Sequence, residues 1–351
     1  MREDLFVYDT LCRIYRDGSW CAKALNEIRQ DSRAFVTNAV YGIVSNDVKF
    51  NYIISQLIPK KPKNQVLILL KMGLYYIDYM SAMPDYAAVN RVIDCAEHIG
   101  KGAVKGLINA VLKRYIREGV NMPEDKARCL SVQTSTPLWL VEKYIQQYGY
   151  DIAKSFLSVP KFTKQHIRAN KNKISNYELY AILDNMQVEY EKDERGCFVN
   201  WSTKLADCFN KGDITVQSLT SMFCCESAGV KDGMSVLDMC SAPGGKAVYL
   251  SELADISVTC CDIKAHRLQL IESYISRMGA KKLICVFQDA QIYNSKLGNF
   301  DVVLCDVPCS GFGVVESKPD IYLHREEKDI GEIVKIQKNI LYNAAKYVVQ
   351  G

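Results

Sequence analysis

The sequence predicts a multidomain chain: an all-α N-terminal part, a small α+β middle part and a C-terminal α/β part with a doubly wound parallel sheet. Three observations carry this. Apolar residues recur at helical spacing through residues 1–128. Short alternating runs broken by Pro137 and Pro160 mark residues 129–215. From residue 216 to 351, four short apolar runs alternate with helical stretches, and each run leads into an aspartate.

A chain of 351 residues exceeds one ordinary core, so two or three domains are expected. Hydrophobic residues make up 48% and charged residues 24%, a globular composition. No run reaches the roughly 18 uninterrupted apolar residues of a membrane span, because Lys71 and Asp78 break the most apolar stretch, Val66 to Met80. The charged start, Arg2 to Asp4, is unlike a signal peptide, which points to the cytoplasm. The 14 cysteines then read as reduced, mostly buried side chains. None are spaced CxxC and the four histidines are scattered, so no metal site is expected.

In the N-terminal part, Phe35, Val36, Ala39, Val40, Ile43 and Val44 mark one helix, and Leu67, Leu70, Leu74, Ile77 and Met80 another. A third runs from Lys105 to Glu118, with Leu107, Ile108, Val111 and Leu112 facing inward. Net charge is +4 overall, and residues 1–118 hold 17 Lys/Arg against 12 Asp/Glu. That local excess suits contact with a polyanion. In the middle part, residues 161–173 carry five Lys/Arg, one His and no acid, and read as a phosphate-facing strand and loop.

The four C-terminal strands are Ser235 to Leu237, Ile256 to Cys261, Leu283 to Phe287 and Val302 to Cys305, leading into Asp238, Asp262, Asp289 and Asp306. Ligands of open α/β sheets bind at the carboxyl ends of strands. A single aspartate there caps a helix as readily; four in series suggest a ligand rich in hydroxyl and amino donors. The first loop contains Cys240, Ser241, Ala242, Pro243, Gly244, Gly245 and Lys246. It matches neither the dinucleotide nor the triphosphate glycine pattern, and a phosphate-free nucleoside such as S-adenosylmethionine fits better. Asp262 lies 18 residues past Gly244, near the offset at which an acid holds ribose hydroxyls. Asp289 is placed at the adenine edge, and Arg267 and Asp306 complete the cofactor set. Cys309, in the run DVPCSGFGV (306–314), is a candidate reactive thiol.

DMCSAPGGK (238–246), DVPCSGFGV (306–314) and KPD (318–320) resemble the RNA cytosine-5 methyltransferases. The stretch from Asp85 to Arg114 is similar to the NusB-like RNA-binding domain fused to the small-subunit ribosomal RNA cytosine-5 methyltransferases of the Fmu/Sun type (methyltransferase B). IRAN (167–170) resembles the Arg-x-Asn motif that precedes their catalytic domain. The resemblance implies covalent catalysis. A thiolate adds to carbon 6 of cytosine, carbon 5 takes the methyl group, and loss of the carbon 5 proton and of the thiolate ends the cycle. It assigns product release to Cys309, a contact with both cofactor and base to Asp306, RNA contact to Arg168, Asn170 and Lys171, and small-subunit ribosomal RNA as the partner of a monomeric enzyme that needs no protein partner. The attacking cysteine is expected on a strand beyond Gly351, so the sheet is expected to be incomplete and the 351-residue chain to hold cofactor without methylating. The alternatives are a transfer-RNA cytosine-5 methyltransferase and a catalytically dead module that binds RNA and cofactor.

Overall fold

A computed structural model describes residues 2–26, 28, 32–159 and 164–349. The chain divides into two compact units, residues 1–161 with 311–327, and residues 162–310 with 328–351.

The first unit is helical throughout. Its centre is the helix Asn64–Tyr79, in which every residue from Val66 to Tyr76 is buried. A helix buried on all sides belongs in the middle of a bundle, and the helices Arg2–Tyr15, Arg33–Ser45, Asp47–Leu57, Asp85–His98 and Lys105–Glu118 pack around it. Close approach needs glycine at two points. A Cβ on Gly73 would lie 2.4 Å from Leu112, and one on Gly42 would lie 2.1 Å from the Tyr75 ring. Lys71 is carried inside by its position on this helix. Burial lowers its pKa, and Asp47, 2.5 Å away, receives its charge.

Helix Lys105–Glu118 buries Ile108, Val111 and Leu112 as expected, but Leu107 is 41% exposed. Its Cβ points one step round the helix from the buried stripe.

The helical unit continues past residue 128, the boundary expected from sequence. Helices Lys126–Thr134, Leu138–Tyr148 and Tyr150–Leu157 belong to it. Ser135, in a left-handed conformation between the first two, accepts hydrogen bonds from the backbone N–H of Val48 and Lys49 at 3.1 and 3.3 Å. It therefore serves as a remote cap for the helix Asp47–Leu57, whose own preceding residue makes no side-chain cap.

The segment 311–327 also lies in the helical unit. Asp320, 2% exposed, accepts a 2.6 Å hydrogen bond from the backbone N–H of Cys21, and His324 packs on Trp20 with ring centroids 4.3 Å apart.

The second unit contains two four-stranded sheets. The small sheet has strands β1 (Gln165–Ala169), β2 (Tyr190–Asp193), β3 (Gly196–Val199) and β4 (Ile214–Val216), ordered β2-β3-β1-β4 and antiparallel. Its helix Asn176–Asn185 starts with a capping box between Ser175 and Glu178. The large sheet has β5 (Ser235–Asp238), β6 (Ser257–Asp262), β7 (Leu283–Phe287) and β8 (Val302–Leu304), parallel and ordered β7-β6-β5-β8. Each is within a residue or so of its expected range. Helices Gly245–Leu253 and Ala265–Met278 make the crossovers, and Glu327–Ala344 follows β8.

The middle part, expected to form its own domain over residues 129–215, is split. Its helices up to Leu157 lie in the first unit, and its sheet lies in the second with the helices Asn176–Asn185 and Ala206–Lys211. Asn170 donates to the carbonyls of Gly212 and Met278 at 2.9 and 2.7 Å. The latter bond pins the small sheet to a helix of the large one.

Candidate functional site

The carboxyl ends of β5, β6, β7 and β8 form one edge, and the sequence delivers an aspartate to each. The strand order reverses at β5, with β6 and β7 on one side of it and β8 on the other, the place where doubly wound sheets leave a crevice.

Asp238 ends β5 and is 1% exposed. Burial pushes its carboxyl up to about 7. Its Oδ2 and the Oγ of Ser241 are buried without a hydrogen-bond partner among the described residues. Orphaned polar atoms of this kind call for an explanation, and a ligand bearing hydroxyl or amino donors supplies one. After Ser241 the loop turns through a cis Ala242–Pro243 bond to Gly244, whose φ of 103° favours glycine. A Cβ on Gly244 would also press to 3.3 Å from Ile271. The backbone N–H of Ser241 donates to Cys261 at 2.9 Å, which holds the loop against β6.

Asp262 ends β6, 4% exposed, with Oδ1 accepting from the backbone N–H of Lys264 at 2.9 Å. Arg267 Nη1 stands 3.7 Å from its Oδ2. Asp289 accepts from the backbone N–H of Gln291 at 2.9 Å and lies at the next strand end. Lys246, in the first turn of helix Gly245–Leu253, reaches Asp306 Oδ2 at 2.5 Å. Burial disfavours the Lys246 cation, and Asp306 more than offsets this, so its pKa ends above the usual lysine value. The first and last motifs are thus joined side chain to side chain.

Among the 14 thiols, only Cys224 and Cys309 are exposed. Cys309 follows Pro308, whose carbonyl accepts from Gln337 Nε2 at 2.9 Å. Cys240 is half-buried with its thiol pushed up to about 12, and Cys305 to about 11, both chiefly by burial. Neither suits a nucleophile, since the thiolate is the reactive form. A Thr-Cys pair occurs at Thr259–Cys260, but Cys260 is fully buried inside β6.

Arg168 and Asn170, expected to touch RNA, face the interior instead. Arg168 is 1% exposed. It pairs with Glu252 at 2.6 Å, donates to Gln217 Oε1 at 2.6 Å and stacks on Tyr249 at 4.5 Å. Gln217 in turn donates to the carbonyl of Gly245 at 3.3 Å. The Arg-x-Asn motif therefore braces the helix that starts at the glycine loop. His166 is buried as well, its Nδ1 2.9 Å from the Gln217 carbonyl oxygen. In the basic segment, Lys171 is exposed, and residues 161–163 lie outside the described residues. Glu252 was overlooked at the sequence level, although a lone acid in the apolar run AVYLSEL (247–253) signals a buried partner.

This fold and edge define an S-adenosylmethionine-dependent methyltransferase fused to a helical domain. The family model for 16S rRNA methyltransferase RsmB/F matches residues 229–351, and the NusB family model matches residues 6–117. The chain is 32% identical over 343 residues to the probable ribosomal RNA small subunit methyltransferase B of Bacillus subtilis (strain 168), covering 93% of this chain and 76% of that protein. It is 27% identical over 332 residues to the ribosomal RNA small subunit methyltransferase B of Photorhabdus laumondii, covering 91% and 76%. In fold it is similar to the crystal structure of PH0851, with TM-score 0.77 and 21% identity over 99% of this chain and 82% of that one. It is also similar to NSun6 from Pyrococcus horikoshii, solved with SFG, with TM-score 0.52 and 20% identity over 60% and 79%. The chain belongs to the ribosomal RNA small subunit methyltransferase B family.

Proposed function

We propose that this protein methylates carbon 5 of a cytosine in small-subunit ribosomal RNA through a covalent cysteine adduct. The observation that supports this most is the pairing of Lys246 with Asp306, three residues before the exposed Cys309, at the strand edge.

S-adenosylmethionine, when bound, supplies an electrophilic methyl group. Ser241 and Asp238 offer it buried polar atoms, Gly244 lets backbone approach it, and Asp262 and Asp289 offer carboxylates for ribose and adenine donors. Asp306 presents a half-exposed carboxylate that accepts a hydrogen bond from the cytosine amino group, while Lys246 fixes its position.

Carbon 5 of cytosine is a poor nucleophile until a thiolate adds at carbon 6. Once carbon 5 is methylated, a general base takes its proton, the freed electron pair restores the carbon 5–carbon 6 double bond, and the carbon 6–sulfur bond breaks with departure of the thiolate. Cys309 assists this release, and a second thiol makes the attack. The basic helical unit adds RNA affinity through phosphate contacts, and Lys171 adds another from the second unit. Incubation of a form that carries the attacking thiol with labelled cofactor and small-subunit RNA, followed by mapping of the methylated atom, tests the reading. Label on a ribose hydroxyl or on a purine would overturn it.

A further inference from the structure

The helical unit holds a cavity that the methyl-transfer chemistry does not use. Its walls include Tyr148 and Phe156 from two successive helices, and Phe312 and Tyr322 from the segment 311–327. Tyr148 and Phe156 meet edge to face at 5.7 Å, and Phe312 and Tyr322 lie 6.1 Å apart. Tyr148 is 42% exposed and Phe156 57%, so both side chains are open to solvent. Thr136 adds a hydroxyl, and among the described residues the one charged side chain on the lining is Glu316.

Two features select the occupant. A lining with an acid and no cation does not suit a phosphate. It suits the face of a nucleobase, which stacks on aromatic rings whatever its identity, and an edge N–H, which Glu316 accepts. The second feature is covalent. Phe312 is three residues after Cys309, so their Cα atoms are at most about 11 Å apart. This three-residue link ties a wall of the cavity to the loop that carries the thiol.

We propose that the cavity is a stacking subsite for an unpaired base flanking the target nucleotide. This rests on the RNA-modifying role of the family and deepens it: the substrate presents its target within a single-stranded stretch.

The test is binding of a fluorescent single-stranded oligoribonucleotide of small-subunit rRNA sequence to the 351-residue chain. Tyr148→Ala and Phe156→Ala should each weaken it about 5- to 100-fold. Tyr148→Phe should leave it intact, and the dependence on salt should not change, because stacking releases no counterions. In the unaltered chain, an oligonucleotide carrying 5-bromouridine beside the target should photocrosslink to a peptide holding Tyr148, Phe156 or Phe312. Unchanged affinity in both alanine variants, or crosslinks confined to other peptides, overturns the subsite. Cofactor binding by this chain, and methyl transfer by a form that carries the attacking thiol, are measured separately, so loss of the methyltransferase reading is seen there and not here.

Discussion

Lys246 and Asp306 lie 60 residues apart in sequence and meet at 2.5 Å. That contact closes the glycine loop 240–246 onto the loop that carries Cys309. Lys246→Met keeps the aliphatic stem and removes the charge. Folding stability should change by less than about 1 kcal/mol, because the pair is partly open to water, while methyl transfer by a form that carries the attacking thiol should fall at least about 10-fold. A lowered unfolding midpoint with an unchanged rate would reverse the assignment.

Asp262→Ala removes the carboxylate proposed to hold ribose hydroxyls. Affinity for S-adenosylmethionine should drop by about 1–3 kcal/mol. Calorimetry on the folded variant measures it, and an unaltered dissociation constant would place the ribose elsewhere.

Arg168 and Lys171 should separate cleanly. Arg168→Met leaves Glu252 buried and unpaired, which should cost about 3–5 kcal/mol in urea unfolding. Lys171→Ala should leave stability alone and reduce the salt slope of RNA binding by about 1. The opposite pattern, a stable Arg168 variant with weakened RNA binding, would return that residue to the RNA surface.

Asp238 gives the fold a pH dependence of definite sign. Its folded pKa is raised by burial from 3.8 to about 7. Between those values the folded state holds a proton that the unfolded state has lost, so stability falls as pH rises from about 4 to about 7 and levels off above. The full effect is on the order of 4 kcal/mol. Asp238→Asn should flatten the curve relative to the parent, as measured by urea midpoints across that range. Parallel curves would mean that Asp238 is charged inside the fold.

Cys309→Ala should slow the last step. Made in a form of the protein that carries the attacking thiol and incubated with RNA and cofactor, the variant should accumulate a covalent RNA–protein adduct, visible as a species that resists denaturing electrophoresis. If Cys309 is the attacking thiol, no adduct forms and methyl transfer ceases.

The local patterns were legible in the sequence because they depend on near neighbours. Apolar runs of the length of a strand, each followed by an aspartate, located β5 to β8 and the edge they share. The absence of phosphate-binding glycine patterns and the 18-residue offset to Asp262 pointed to the nucleoside. Other features depend on partners far along the chain. Arg168 looks like an RNA contact among its basic neighbours, and only the fold brings Glu252 to it, 84 residues away. Leu107 and Ile108 are both apolar and adjacent, and packing decides which of them is covered. Ser135 caps a helix 87 residues upstream. The KPD run after Cys309 places its aspartate on Cys21, 299 residues away, so the segment 311–327 belongs to the helical unit. Periodicity records which face of an element seeks burial. It carries no record of which distant donor or acceptor satisfies a polar group once that face is buried, and that choice is made only when the chain closes on itself.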